Sequence, residues 1–186
     1  MDAADSKLVE RYRNGDARAF EALVYRYHRQ VFTFLLRYVG DREAAEDLVQ
    51  DTFTQVIEKI QRYEERGRFS SWLFRLAHNL ALDEWRERRP EDLSETAVEH
   101  AVDPGQRPGA SLGQEDIRRE VGLALARLSE PQRRVFLLRQ HSDLKFREIA
   151  DITDEPLNTV LSHIRYATTK LRQELQFLRE DGRDLE

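Results

Sequence analysis

Between Pro90 and Glu115 the chain loses every period that a helix or strand could use. The stretch holds three of the five prolines (Pro90, Pro104, Pro108) and three of the eight glycines (Gly105, Gly109, Gly113). Residues of this kind break regular structure and turn the backbone. Its carboxylates are Glu91, Asp92, Glu95, Glu99, Asp103 and Glu115, and its only base is Arg107, so this segment alone carries the net charge of −5 of the whole chain. It is expected to be a flexible acidic linker, residues 90–115, between an N-terminal domain (1–89) and a C-terminal domain (116–186). Small domains with much surface also fit the composition, with 35% charged residues and a mean hydropathy of −0.71 over 186 residues.

Composition closes several classes of function. There is no cysteine, which excludes disulfide scaffolds, zinc ribbons, iron–sulfur sites and thiol catalysis. The start, MDAADSKLVERYRNGD, lacks the apolar core of a secretory signal. No run of about 18 apolar residues exists, so no membrane insertion is expected and the cytoplasm is the expected compartment. From Pro131 to Arg179 nine Lys or Arg face six Asp or Glu, a mild basic bias where nucleic acid could bind.

Both halves read as all-α, because apolar residues recur at three- and four-residue spacing rather than alternating. A first helix is expected from Asp5 to Asn14, stopped by Gly15. Asp16 caps a second, with Phe20, Leu23, Val24, Tyr27, Val31, Phe34, Leu35 and Tyr38 on its stripe and Gly40 at its end. Asp41 caps a third, whose stripe is Ala45, Leu48, Val49, Thr52, Phe53, Val56, Ile57 and Ile60. Ser70 is expected to cap a fourth, closed by Pro90. In the second half, Ile117, Val121, Ala124, Leu125 and Leu128 share a face. Ser129 to Gln132 forms a capping box with Pro131 in the first turn; the helix after it is expected to bury Val135, Phe136 and Leu138. Asp143 is expected to cap a short helix from Leu144 to Ile152. A turn, Thr153 to Pro156, leads to a long last helix with Leu157, Val160, Ile164, Ala167, Leu171, Leu175 and Leu178 on its stripe.

Three faces could carry function. On the fourth helix, Trp72, Arg75, Asn79, Asp83 and Arg86 fall within an arc of about 80° at 100° per residue, beside the core arc of Leu73, Leu76, Ala77 and Leu80. Phe69 lies just before it. Aromatic rings and guanidinium planes stack on bases, amides bond base edges and arginines pair phosphates, so the stripe suits single-stranded nucleic acid. The alternative is an amphipathic helix whose tryptophan packs on the rim and whose arginines pair with nearby acids. The short helix, turn and long helix fit a helix-turn-helix. Ala150 sits where close packing needs a small residue, Val160 is at the buried position, and Asn158, Thr159, Ser162, His163, Arg165 and Tyr166 face a major groove; the alternative is a plain helical hairpin. Asp154 stands where the turn usually has glycine. On the third helix, Glu46, Asp47, Gln50 and Asp51 line an outer face with no converging partner, which suggests a solvated or protein-docking face rather than a catalytic pair. The histidines show no metal-type spacing, His78 and His141 read as surface or cap residues, and no phosphate-binding or nucleophile motif appears. No metal, cofactor or enzymatic activity is expected.

The blocks from Ala45 to Phe53 and from Phe69 to Asp83 resemble the first domain of extracytoplasmic-function (ECF) sigma factors. Leu128 to Arg139, Glu148-Ile149-Ala150 and Lys170-Leu171-Arg172 resemble their second. The resemblance covers about 160 residues, in order, around a linker of the expected kind. It implies a dissociable initiation subunit of bacterial RNA polymerase, a monomer when free. Glu46, Asp47, Gln50 and Asp51 would dock on core polymerase. Phe69, Trp72, Arg75, Asn79 and Arg86 would meet the −10 element as single strand, with a base flipped near Asn79. The helix-turn-helix would read the −35 element as duplex. The acidic linker would run through the positively charged channel of the polymerase, and an anti-sigma factor would restrain the protein. The recognition helix departs from the family pattern: Leu161 and Thr168 stand where cations are common, and His163 replaces a guanidinium, which should weaken phosphate contacts. Two other readings remain open on the residues: a stand-alone helix-turn-helix regulator, and an all-helical protein-interaction adaptor.

Overall fold

The computed structural model describes residues 3–64, 68–88 and 112–176, and every element among them is helical. The expected linker lies outside the described residues except at its end, where residues 112–115 already belong to a helix.

The first half is built from α1 (Ala3–Arg13), α2 (Ala17–Val39), α3 (Arg42–Lys59) and α4 (Phe69–Arg88), with a 3₁₀ turn, Ile60–Arg62, extending α3. The boundaries follow local chemistry. Gly15 and Gly40 adopt φ of 94° and 76°, open to a residue without Cβ. The Asp16 carboxylate accepts the Arg18 N–H at 3.1 Å, and that of Asp41 accepts the Ala44 N–H at 2.8 Å, each satisfying a helix-start donor that has no intrahelical acceptor. The Arg11 guanidinium, 2.6 Å from Asp16, holds that carboxyl below the usual carboxylate range. Ser70 is not a cap: α4 begins one residue earlier, and the Trp72 N–H bonds the Arg68 carbonyl at 3.3 Å. α2 runs through the middle and buries Leu23, Val31, Phe34 and Leu35 against α3 and α4. Each such side chain contributes about 1.5–3 kcal/mol of burial. α1 is tied to α2 through buried Asp5, whose carboxylate accepts from Arg26 and Tyr27.

The second half contains α5 (Leu112–Ala126), α6 (Glu130–His141), α7 (Phe146–Thr153) and α8 (Leu157–Glu174). The Gln132 side chain accepts the Ser129 N–H at 3.4 Å, half of the expected capping box. α6 buries Leu137 with Val135 and Leu138, while Phe136 is only half-buried. Asp143 does not cap α7. That helix starts later, where the Glu148 carboxylate accepts the Lys145 N–H at 2.7 Å. Asp154 ends it at φ 54°, ψ 42°, the left-handed position, and the Glu155 N–H closes on the Ala150 carbonyl at 3.1 Å. Val160, Ala167 and Leu171 of α8 complete the core, Leu175 is half-buried and Leu178 lies outside the described residues.

The halves touch. α2 packs on α6 and α4 packs on α7, so the buried apolar residues of both form one cluster.

Candidate nucleic-acid and docking faces

The fourth-helix stripe exists as a face. Leu73, Phe74, Leu76, Ala77 and Ala81 are buried, while Arg75, Asn79, Asp83 and Arg86 are exposed. The core therefore leaves these polar groups in solvent. Arg86 lies 3.6 Å from Asp83, an exposed i,i+3 pair of little energetic weight. Phe69 is not part of this face. It is 3% exposed and packs on Tyr27, Tyr63 and Trp72 at centroid distances of 5.7, 6.1 and 5.7 Å. A ring so enclosed has no side free for a base, which corrects its assignment to the −10 contacts.

Trp72 is half-buried at the head of the stripe, with Tyr63 against it at 4.6 Å and an interplanar angle of 32°. Tyr63 adjoins this candidate face, a neighbour the sequence reading missed. Its only signal was an aromatic among charged residues just beyond α3. Arg13 reaches over from α1 to fix it. The guanidinium donates to the Ile60 carbonyl at 2.8 and 2.6 Å and to the Tyr63 carbonyl, and sits 5.8 Å from the Tyr63 ring centroid. A cation there also favours the carbonyl end of α3.

His78 is buried at 2% exposure rather than on the surface. Its ring meets Tyr38 edge-on at 6.4 Å, Nδ1 lies 3.3 Å from Asn79 Oδ1, and Nε2 is buried without a partner. Burial pulls its pKa below the usual imidazole value against the opposing bond to Asn79, so the ring is neutral near pH 7. His141, by contrast, does end its helix.

On α3, Glu46, Asp47, Gln50 and Asp51 are all exposed along the side opposite the core. Glu46 pairs with Arg42 at 2.9 Å on the same helix. The carboxylates line an outer face instead of converging, and among the described residues no group of acids and histidines is arranged to hold a metal.

On α8, Asn158, Ser162, Arg165 and Tyr166 are exposed, Tyr166 at 64%. Thr159 and His163 are half-buried, so this face is narrower than expected. His163 Nε2 lies 3.5 Å from Glu155, which also accepts from Arg134 at 2.7 Å. Exposed Leu161 adds an apolar spot to the same surface.

A polar seam joins the halves, and the sequence reading did not anticipate it. The buried Tyr38 hydroxyl of α2 donates to the Glu130 carboxylate of α6. Burial first, and then this carboxylate, push the tyrosine pKa up, so it stays a donor. Arg133 lies 5.6 Å above the same ring, and burial lowers its pKa against Tyr38 and Glu130. Arg134 bridges Glu130 at 3.5 Å and Glu155. Arg68 donates to the Asp143 carbonyl at 3.3 Å and approaches Glu148 at 3.9 Å. Arg75 donates to the Asp151 carbonyl at 2.8 Å.

Comparison with known proteins places this architecture. The family model of sigma-70 region 2 matches residues 23–91, and that of sigma-70 region 4 matches residues 118–171. This pair of regions defines the class of sigma-70-type factors. The RNA polymerase sigma-H factor of Pseudomonas aeruginosa is 31% identical over 186 residues, covering 95% of this chain and 96% of that protein. The ECF RNA polymerase sigma-E factor of Haemophilus influenzae is 33% identical over 181 residues, covering 92% and 95%. In fold, the chain is similar to CnrH solved with the cytosolic domain of CnrY, with a TM-score of 0.70 at 22% identity over 93% of this chain and 97% of that one. It is also similar to the sigma factor RpoE solved with the anti-sigma factor NepR from Bartonella quintana, with a TM-score of 0.69 at 23% identity over 86% and 98%. The chain belongs to the ECF family of bacterial RNA polymerase sigma factors. It acts in transcription initiation, directing polymerase to promoters. Among the described residues, no helix is long and apolar enough to cross a membrane.

Proposed function

We propose that the chain docks on core polymerase through Glu46, Asp47, Gln50 and Asp51, and that Trp72, Arg75, Asn79 and Arg86 engage the −10 element as single strand. Asn158, Thr159, Ser162, His163, Arg165 and Tyr166 engage the −35 element as duplex, Thr159 and His163 from the flank of the helix. The protein catalyses no reaction itself and works in the cytoplasm as a monomer until it meets polymerase. Domains 1–89 and 116–186 carry the two DNA tasks. The observation that carries this reading is the α4 face, where exposed Arg75, Asn79 and Arg86 adjoin the Tyr63–Trp72 stack. Stacking rings, a base-edge amide and cations are the parts single-stranded DNA requires. An anti-sigma factor is the expected regulator, since the sigma factor RpoE, of like fold, was solved with the anti-sigma factor NepR.

The deciding test is co-migration with bacterial core polymerase on a sizing column. Wild type is expected to bind, and a variant carrying Asp47→Ala with Gln50→Ala is expected to lose binding. Failure of the folded wild type to bind refutes the reading. Asn79→Ala is expected to weaken −10 recognition with core binding intact; an equal loss for every −10 variant shows that Asn79 does not read a base.

A further inference from the structure

We propose that Leu161 reads the methyl group of a thymine in the −35 element, so that α8 selects one base of its site by apolar contact. The inference deepens the reading of the α8 face as the −35 face and rests on it. Leu161 is 41% exposed. It belongs neither to the buried cluster nor to the partly buried residues packed against that cluster, unlike Ile164 three residues on. At 100° per residue it lies about 60° from Asn158 and about 40° from Arg165 around the helix, and both of those are exposed. The fold therefore gives this leucine no apolar partner of its own. It holds the side chain on the shoulder of α8 that carries two of the groups assigned to the groove.

The electrostatics of the helix leave discrimination to such contacts. From Leu157 to Tyr166 the only lysine or arginine is Arg165. In the same stretch His163 turns Nε2 toward Glu155 at 3.5 Å, and the Ser162 hydroxyl donates to the Asn158 carbonyl at 2.9 Å. Few groups remain to pair phosphates, and phosphate contacts position a protein without reading sequence.

The major groove offers hydrogen-bond donors, acceptors and one apolar group, the thymine C5 methyl. A leucine set against that methyl takes apolar surface of both partners out of water. Set against an adenine or guanine edge, it strips water from donors and acceptors and supplies no replacement. A cytosine puts only hydrogen where the methyl would be, beside an amino donor that the leucine cannot satisfy. One side chain thus favours thymine and penalises the other three bases.

The test uses core polymerase reconstituted with the full chain and a pool of promoter duplexes randomised across the −35 element. Selection with the wild-type chain is expected to fix a thymine at one position. Each thymine of the selected element is then replaced singly by uracil, which removes the methyl and keeps every hydrogen-bonding group. At that one position uracil is expected to weaken binding by about threefold to fourfold, the effect of one methyl withdrawn from water. Replacing the same T·A pair by C·G is expected to weaken it by about fivefold or more. With Leu161→Ala the uracil effect is expected to vanish, and with Leu161→Met to remain. The position lies outside the core, so the fold tolerates both variants. No uracil effect at any thymine of a selected element overturns the proposal. An effect as large in Leu161→Ala as in the wild type also overturns it, and hands the methyl to a neighbour such as exposed Tyr166. If the polymerase-bound chain selects no −35 sequence at all, the reading of α8 as the −35 face has itself failed, and the thymine contact falls with it.

Discussion

Asp154 offers a quantitative check on the helix-turn-helix geometry. It is the one non-glycine residue with positive φ among the described residues, at 54°. A side chain in the left-handed region costs about 1–2 kcal/mol because Cβ crowds the following carbonyl, and aspartate lies at the low end of that range. Glycine removes the crowding but gives back about 0.5–1 kcal/mol through the greater freedom of the unfolded chain. Asp154 is exposed, so no packing is lost on substitution. The expected order of stability is therefore Gly at or above Asp, and both above Ala, with Asp154→Gly gaining at most about 0.5 kcal/mol and Asp154→Ala losing about 1 kcal/mol. At roughly 2–4 °C per kcal/mol for a chain of this size, the thermal midpoint should rise by no more than about 2 °C and fall by about 2–4 °C respectively. Asp154→Asn, which keeps the tolerance for this conformation but removes the charge, should stay near wild type. Scanning calorimetry on the four proteins is sufficient. An alanine variant as stable as the glycine variant would show that the turn is not held left-handed and that α8 does not leave α7 at the angle described.

Burial depresses the His78 pKa below its unfolded value of 6.5. Below about pH 6.5 the unfolded chain binds a proton that the folded chain refuses, so stability should fall as pH drops from that point toward the folded pKa; urea titrations at several pH values should show a shallower fall in His78→Gln. Phe74→Ala removes a fully buried ring that packs edge-on against Phe34 at 5.7 Å and should cost about 3–5 kcal/mol in equilibrium unfolding. Leu161→Arg restores a cation on the exposed side of α8. If it meets a phosphate, the slope of log affinity for a −35 duplex against log salt, measured on the polymerase-bound protein, should steepen by about 0.9, and an unchanged slope would place Leu161 away from the DNA.

The helices were legible in the sequence because their apolar stripes are clean and several ends carry side chains with a single local use. Asp16, Asp41 and Gly40 do at the helix ends what their chemistry suggests. Ser70 and Asp143 are equally good capping types, but longer-range contacts decide those ends. Arg68 spans from the start of α4 to Asp143 just ahead of α7, and a window along one helix does not contain that pair. The α4 stripe was legible because the exposed and buried arcs differ in chemistry. Phe69 and His78 were misread for opposite reasons. An aromatic beside a basic stripe looks available for stacking, and a histidine on a helix looks polar, yet each is enclosed by rings from other elements. The seam escaped notice because Tyr38, Glu130, Arg133 and Arg134 are mostly residues that usually lie outside. Only their mutual pairing shows that they are inside.

The grip of Arg13 on the carbonyls of Ile60 and Tyr63 bears on where this protein effectively begins. The matched sigma-70 region starts at residue 23, yet the cation that fixes the Tyr63–Trp72 stack comes from a helix wholly ahead of that point. A chain trimmed to the recognisable region would keep the sequence signature of the family while losing the brace beneath its aromatic platform. Residues ahead of the matched sigma-70 region therefore help to hold the Tyr63–Trp72 pair in place.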